Sequence, residues 1–222
     1  MLAGRFQKSE FDGATMDSVS QLTAATIKLW KGMKGKMLPT PAKFHYVFNM
    51  RDLSRVFQGI LLTPKDTILT GGLRKQEGKL PGFSPQAAIV GLWKHECDRV
   101  FSDKLTNNKD KVSYEKMVAD IGKDCFGEDL YGSACKEPKF FVSFLRDDVY
   151  DEDGVLQEEA PKVYEDGGSL AMIKERVDDF LEKYNLEYPS KKMELVLFED
   201  ALKHMLRINR YIEMPRGSGL LV

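Results

Sequence analysis

The sequence predicts a mainly α-helical protein, and three observations carry that prediction. Apolar residues recur at three- and four-residue spacing in several long segments. Good N-cap residues stand in front of those segments. Period-two alternation of the kind that marks a half-buried strand is scarce, and no internal repeat is present. Six helices and little strand are expected.

The first helix is expected over 15–35, where Met16, Val19, Leu22, Thr26, Trp30 and Met33 fall on one face. Gly32 and Gly35 weaken its end, and Pro39-Thr40-Pro41 stops it, because proline lacks an amide donor and restricts its predecessor. After the aromatic connector Phe44–Phe48, Asn49 is placed to cap a second helix with Asp52 in the capping-box position. Its apolar face is Leu53, Val56, Phe57 and Ile60. The stretch from Leu69 to Pro85, rich in glycine, reads as a mobile loop.

Ser84-Pro85 opens the strongest helix, since proline is favoured at the first helical position. Its stripe is Ile89, Leu92, Trp93, Cys97, Val100, Phe101 and Leu105, with Lys94, Asp98 and Lys104 facing out. Ser113 is placed to open a shorter helix with Tyr114, Met117, Val118 and Ile121. Pro138–Leu145 is strand-like. Ser169 caps a helix through Tyr184 whose inward face is Leu170, Ile173, Val177, Phe180 and Leu181. Tyr188–Lys192 reads as a linker. Leu195–Phe198 then leads into a last helix bearing Ala201, Leu202, Met205, Ile208 and Ile212.

Composition narrows the function classes. The 222 residues carry 33 Lys and Arg against 34 Asp and Glu, for a formal net charge of −1, so no global field favours nucleic acid or an anionic membrane. The distribution is uneven. Residues 1–45 hold seven basic against three acidic residues, whereas 147–166 hold nine acids and Lys162 alone, which reads as a solvated loop. Cys97, Cys125 and Cys135 form neither a disulfide framework nor a zinc pattern, and a reducing compartment is expected. No apolar run is long enough to cross a bilayer.

The catalytic motifs that come to hand fail on their own chemistry. Gly72 to Lys79 resembles a phosphate loop, but five residues separate the glycines where four are needed, and Leu80 stands where the magnesium-binding hydroxyl belongs. His95-Glu96 would begin HExxH, but position 99 is Arg, so Glu96 and Arg99 read as a surface pair one turn apart. His45, His95 and His204 are far apart in sequence and read as packed or surface residues. No catalytic residue and no metal site is assigned. Arg51 stands apart: a cation in the first turn of a helix opposes the helix dipole, so either solvent or an anion must hold it.

The C-terminal residues add a further expectation. Pro215-Arg216-Gly217 ends the last helix, and Gly219–Val222 begins like a buried strand. In phosphate-loop ATPases such a strand runs into GxxxxGK[ST], so the chain is expected to stop short of a nucleotide site.

Three blocks carry a family resemblance. Leu38 to Gly59, Leu92 to Leu105, and Leu195 to Arg210 with Pro215 to Val222 together resemble the motor ring of axonemal dynein heavy chains, from the third AAA+ module into the fourth. Phe140–Asp147 and Ala160–Glu165 look most like the outer-arm gamma type. The glycine-rich 69–85 stretch departs from the family pattern.

The resemblance implies an AAA+ helical small subdomain flanked by partial α/β large subdomains. Residues 1–42 would end the third large subdomain, 43–187 would form its small subdomain, and 188–222 would begin the fourth module. It also implies a fragment of an ATP-driven, minus-end-directed microtubule motor of cilia and flagella. Arg51 matches the sensor-2 position, which reaches nucleotide phosphates, and Val196 and Leu197 match the segment that packs against adenine, where they are expected as a buried pair. ATP or ADP with Mg would serve the intact motor, with none held tightly by this piece. Neighbouring modules, other dynein chains and microtubules would be its partners, with no nucleic acid or membrane. A free-standing helical adaptor is the alternative.

Overall fold

A computed structural model describes residues 13–73, 83–153 and 155–214. Helix α1 runs Gly13–Lys36, α2 Met50–Leu62, α3 Lys65–Thr70, α4 Pro85–Phe101, α5 Asn108–Phe126 and α6 Glu128–Ala134. Short strands β1 (Phe141–Val142), β2 (Val149–Tyr150), β3 (Leu156–Glu158) and β4 (Glu165–Asp166) follow, and then α7 (Leu170–Glu187) and α8 (Glu199–Glu213). The mainly α class holds.

The main core lies among α1, α2, α4, α5 and α6. Trp93 of α4 is fully buried and donates its indole N–H to Thr26 Oγ1 at 3.0 Å, while Thr26 donates to the Leu22 carbonyl. A hydroxyl on the apolar face of α1 is thereby satisfied, as a buried polar group must be. Every stripe residue expected on α4, from Ile89 to Leu105, is buried. Helix α1 packs into this core with the helices that follow it, through Leu22, Ala25, Leu29 and Met33. Phe48 binds α1 to the next element, accepting the Trp30 indole N–H at 3.2 Å.

The caps follow the chemistry of the sequence. Asn49 Oδ1 accepts the Arg51 amide and Asp52 accepts the Asn49 amide, a complete capping box. Ser84 and Ser169 cap α4 and α7. Helix α5 begins earlier than expected, at Asn108 rather than Ser113. The Asn107 side chain accepts the amides of Lys109 and Asp110 and outcompetes the serine as a cap. It ends at Gly127, where φ of +88° turns the chain directly into α6, a conformation that strains any residue with a Cβ.

The stretch 69–85 is not a single loop. Its first residues complete α3, which Gly71 closes in the left-handed conformation at φ +78°. The remainder of the stretch, 74–82, falls outside the described residues.

The acidic stretch is also more structured than a solvated loop. β2 and β3 pair antiparallel as an exposed hairpin, and β1 pairs antiparallel with β4, Val142 opposite Glu165. Glu165 is buried, accepting from Arg146 Nε and from the Leu73 amide, both at 2.9 Å.

A second, smaller core joins β1, α7 and α8 through Val142, Ile173 and Leu202, with Leu170, Val177 and Met205 against it. Phe180 lies nearer the surface than expected, packed edge-on to Phe144 and under Arg176. The expected terminal strand at 219–222 lies outside the described residues.

Candidate functional site

Arg51 is exposed on the first turn of α2. Its backbone amide is taken by the Asn49 cap, and its guanidinium makes no hydrogen bond or ion pair among the described residues. The capping box satisfies the helix end, so the arginine is free to meet an anion arriving from outside.

Val196 and Leu197 lie in the extended segment before α8, remote in sequence from Arg51. Val196 is 86% exposed and Leu197 half-buried, with Leu195 and Phe198 also exposed. The expected buried pair is therefore not buried among the described residues.

What the fold does bring together was read otherwise from the sequence. Glu96 and Arg99 are not a surface pair: Glu96 is 0% exposed. Its carboxylate accepts the Tyr164 hydroxyl at 2.7 Å, Arg210 Nη2 at 3.0 Å and Arg99 Nε at 3.4 Å. These groups arrive from α4, from the turn before β4 and from α8. The Arg210 guanidinium lies 4.0 Å from the Tyr164 ring centroid. Its Nε and Nη1 are buried without hydrogen-bond partners among the described residues, and the ring face offsets part of the charge's loss of water. Arg99 in turn lies against the Tyr211 ring of α8.

Gly59 of α2 makes the cluster possible. A Cβ at that position would stand 1.8 Å from Glu96 Oε2 and 2.9 Å from Arg210 Nη2. A buried carboxylate with two cations and a phenol thus touches three helices at one point.

His95 completes the network. Its Nδ1 lies 3.1 Å from the Lys139 carbonyl, which can only accept, so Nδ1 carries the proton. Nε2 is then an acceptor 3.1 Å from the Tyr164 hydroxyl and competes for its one proton with the closer, charged Glu96. Burial holds the His95 pKa down to about 4, with Arg210 and Arg99 adding to the effect against the pull of Glu96. Burial, and then the Glu96 charge, push the Tyr164 phenol well above its ordinary value.

Beside this network a cleft of about 690 Å³ opens between α4, α6 and α8, lined by Lys94, Asp98, Lys139 and Arg207 among others. Its charges are mostly matched: Lys94 pairs with Asp98 and Glu115, and Arg207 with Asp103. No set of three metal-ligating side chains occurs among the described residues. The arrangement suits holding elements in register, not bond chemistry. One signal in the sequence could have revealed it: Glu96 stands three or four residues from Leu92, Trp93 and Val100, inside the apolar stripe of α4. Arg210 and Gly59 gave no such signal.

Comparison with known proteins finds that the model of the dynein heavy chain ATPase lid domain matches residues 4–111. The flagellar outer-arm dynein gamma chain of Chlamydomonas reinhardtii is 41% identical over 231 aligned positions, covering 100% of this chain and 5% of that protein. Dynein axonemal heavy chain 5 of Rattus norvegicus is 39% identical over 217 positions, covering 96% of this chain and 6% of that one. Dynein axonemal heavy chain 10 of Homo sapiens is 35% identical over 214 positions, covering 96% and 4%. The chain thus spans about a twentieth of the length of these curated relatives. Among the described residues no helix is long and apolar enough to cross a membrane.

Proposed function

Since this chain is homologous to a segment of axonemal dynein heavy chains and carries their ATPase lid domain over 4–111, we propose that it acts as a piece of an ATP-driven microtubule motor, working in the axoneme of cilia or flagella. Its place in the ring is the small subdomain of the third AAA+ module and the entry to the fourth. The blocks at 140–147 and 160–165 favour a gamma-type outer arm as its setting.

The part played by this segment is coupling. Arg51 reads the nucleotide of its own module, and the helical body that carries it passes the change to the module that follows. The observation that carries this reading is the state of Arg51: exposed at a helix end whose cap is already complete, and unpaired among the described residues. A planar fork of donors held that way suits a phosphate, and loss of a γ-phosphate removes its partner. Bound ATP with Mg supplies that phosphate, and of the groups such a site needs, this segment contributes Arg51 on one side. Val196 and Leu197, exposed in the segment, are suited to packing against a purine once the rest of the fourth module covers them.

The test is Arg51→Ala in an intact heavy chain. Nucleotide-gated release from microtubules should slow or lose its dependence on ATP concentration, while basal microtubule affinity without nucleotide is retained. Release kinetics identical to the parent motor would exclude the coupling role. No geometric observation favours the free-standing adaptor over this reading.

A further inference from the structure

We propose that Glu96 is the positioning residue that fixes α8 to the helical core, so that α2, α4 and α8 move as one body. The purpose given to this joint rests on the coupling role above; its geometry does not.

Apolar packing does not hold α8 to the main core. Of its residues only Leu202 and Arg210 are buried, and Leu202 belongs to the smaller cluster with Val142 and Ile173. Ile212 is 73% exposed. The side-chain links from α8 to α4 and the turn after it are polar: Arg210 to Glu96, Arg207 to Asp103 at 2.7 Å, and Tyr211 beneath Arg99. An apolar interface tolerates sliding, because contact area is not directional. A buried carboxylate is different, since it accepts donors only along its lone pairs and an arginine pulled from it is left charged and dry. Each residue along α8 turns it by about 100°, so a slip of one residue would carry Arg210 away from Glu96.

The same carboxylate reports on α2. Gly59 leaves room for Glu96 Oε2 where any Cβ would collide, so α2 and α8 are both registered against one pair of oxygens. Arg51 lies eight residues before Gly59 on one unbroken helix, roughly 12 Å along its axis. A displacement of α2 imposed at Arg51 reaches Glu96 without passing through a loop. Buried ion pairs add little net stability compared with apolar replacements, but they set register, and that is the use assigned to this one.

The test is amide hydrogen exchange on this chain without nucleotide, comparing the parent with Glu96→Gln, Arg210→Met, the double variant and Tyr164→Phe. Glu96→Gln, which takes the anion from Arg210 and Arg99, and Arg210→Met, which leaves Glu96 only the longer contact to Arg99, should each speed exchange across 199–213, by roughly 100-fold for the first and less for the second. Exchange within 108–126 should not change. The double variant should show less than the product of the two effects, since Arg210 is then gone and Arg99 alone lacks its anion. Tyr164→Phe, which keeps the ring under Arg210 and loses one hydrogen bond, should give roughly a fivefold effect in the same helix. Unchanged exchange in 199–213 in either Glu96→Gln or Tyr164→Phe overturns the joint. So does an equal acceleration in 108–126, which would make Glu96 a general support of the core. Because no nucleotide is present, a neutral Arg51→Ala in the motor would remove the sensing role and leave this joint standing.

Discussion

Gly59 and Glu96 approach so closely that a methyl group on the glycine would stand 1.8 Å from a carboxylate oxygen of the glutamate. Helix propensity alone favours alanine over glycine by up to about 1 kcal/mol. Here the clash is with a fully buried carboxylate held by Tyr164, Arg210 and Arg99, so relieving it means loosening those contacts. Gly59→Ala should therefore lower stability by about 2 kcal/mol net. Gly35→Ala, where nothing lies within 4 Å, should raise it by about 0.5 kcal/mol. Urea unfolding of both variants checks the contrast, and a stabilised Gly59→Ala would contradict the geometry.

His95 should make stability depend on pH. Its pKa is about 4 in the fold against an ordinary 6.5, so between those values the unfolded chain binds the proton and the folded chain does not. Its contribution is complete above pH 6.5 and is lost as the pH falls toward 4, by about 2–3 kcal/mol. Asp98 acts in the opposite sense. Burial pushes its carboxyl up to about 6 despite Lys94, so its ionisation disfavours the fold as the pH rises. Comparison with His95→Gln cancels the Asp98 effect. The stability difference between parent and variant should shrink as pH falls from 6.5 to 4, and a flat difference would rule out a buried neutral imidazole.

The start of α2 offers a graded test. Asn49→Ala removes one side-chain acceptor and should cost about 1 kcal/mol. Asp52 is buried, accepts the Asn49 amide and holds Lys104 Nζ at 2.7 Å. Asp52→Ala strands both partners and should cost about 3 kcal/mol. Thermal unfolding should rank the parent above Asn49→Ala and Asn49→Ala above Asp52→Ala.

Arg51→Ala, in the same first turn, should leave the unfolding free energy unchanged within about 0.5 kcal/mol, because the side chain is exposed and makes no hydrogen bond or ion pair among the described residues. The isolated chain, which has no GxxxxGK[ST] sequence, should also show no ATP turnover. Turnover by pure protein, lost in Arg51→Ala, would contradict that expectation.

Much of this architecture was legible because it is local. The cap at Asn49 and the Ser84-Pro85 start of α4 are settled by groups within four residues of one another, as is the buried stripe from Ile89 to Leu105. The misplaced start of α5 was a contest between two good caps, and Asn107 is the one whose side chain accepts the first-turn amides. Val196 was expected to be buried on the strength of the family resemblance, but only a neighbouring surface provides cover, and none of the described residues supplies it.

Helices α3 and α6 were not foreseen, but the helical class, the starts of α2, α4 and α7, the inward faces of α1, α4 and α5, and the lack of a phosphate-loop motif could be read from the chain alone. All of these rest on periodicity, caps and spacing along the chain. That Glu96 is an interior charge follows from packing between distant parts of the chain. Its partners Tyr164 and Arg210 are 68 and 114 residues away, and the space it fills is left by a glycine on a third helix. A carboxylate on an apolar stripe is costly until such partners arrive, and no local pattern announces that they will.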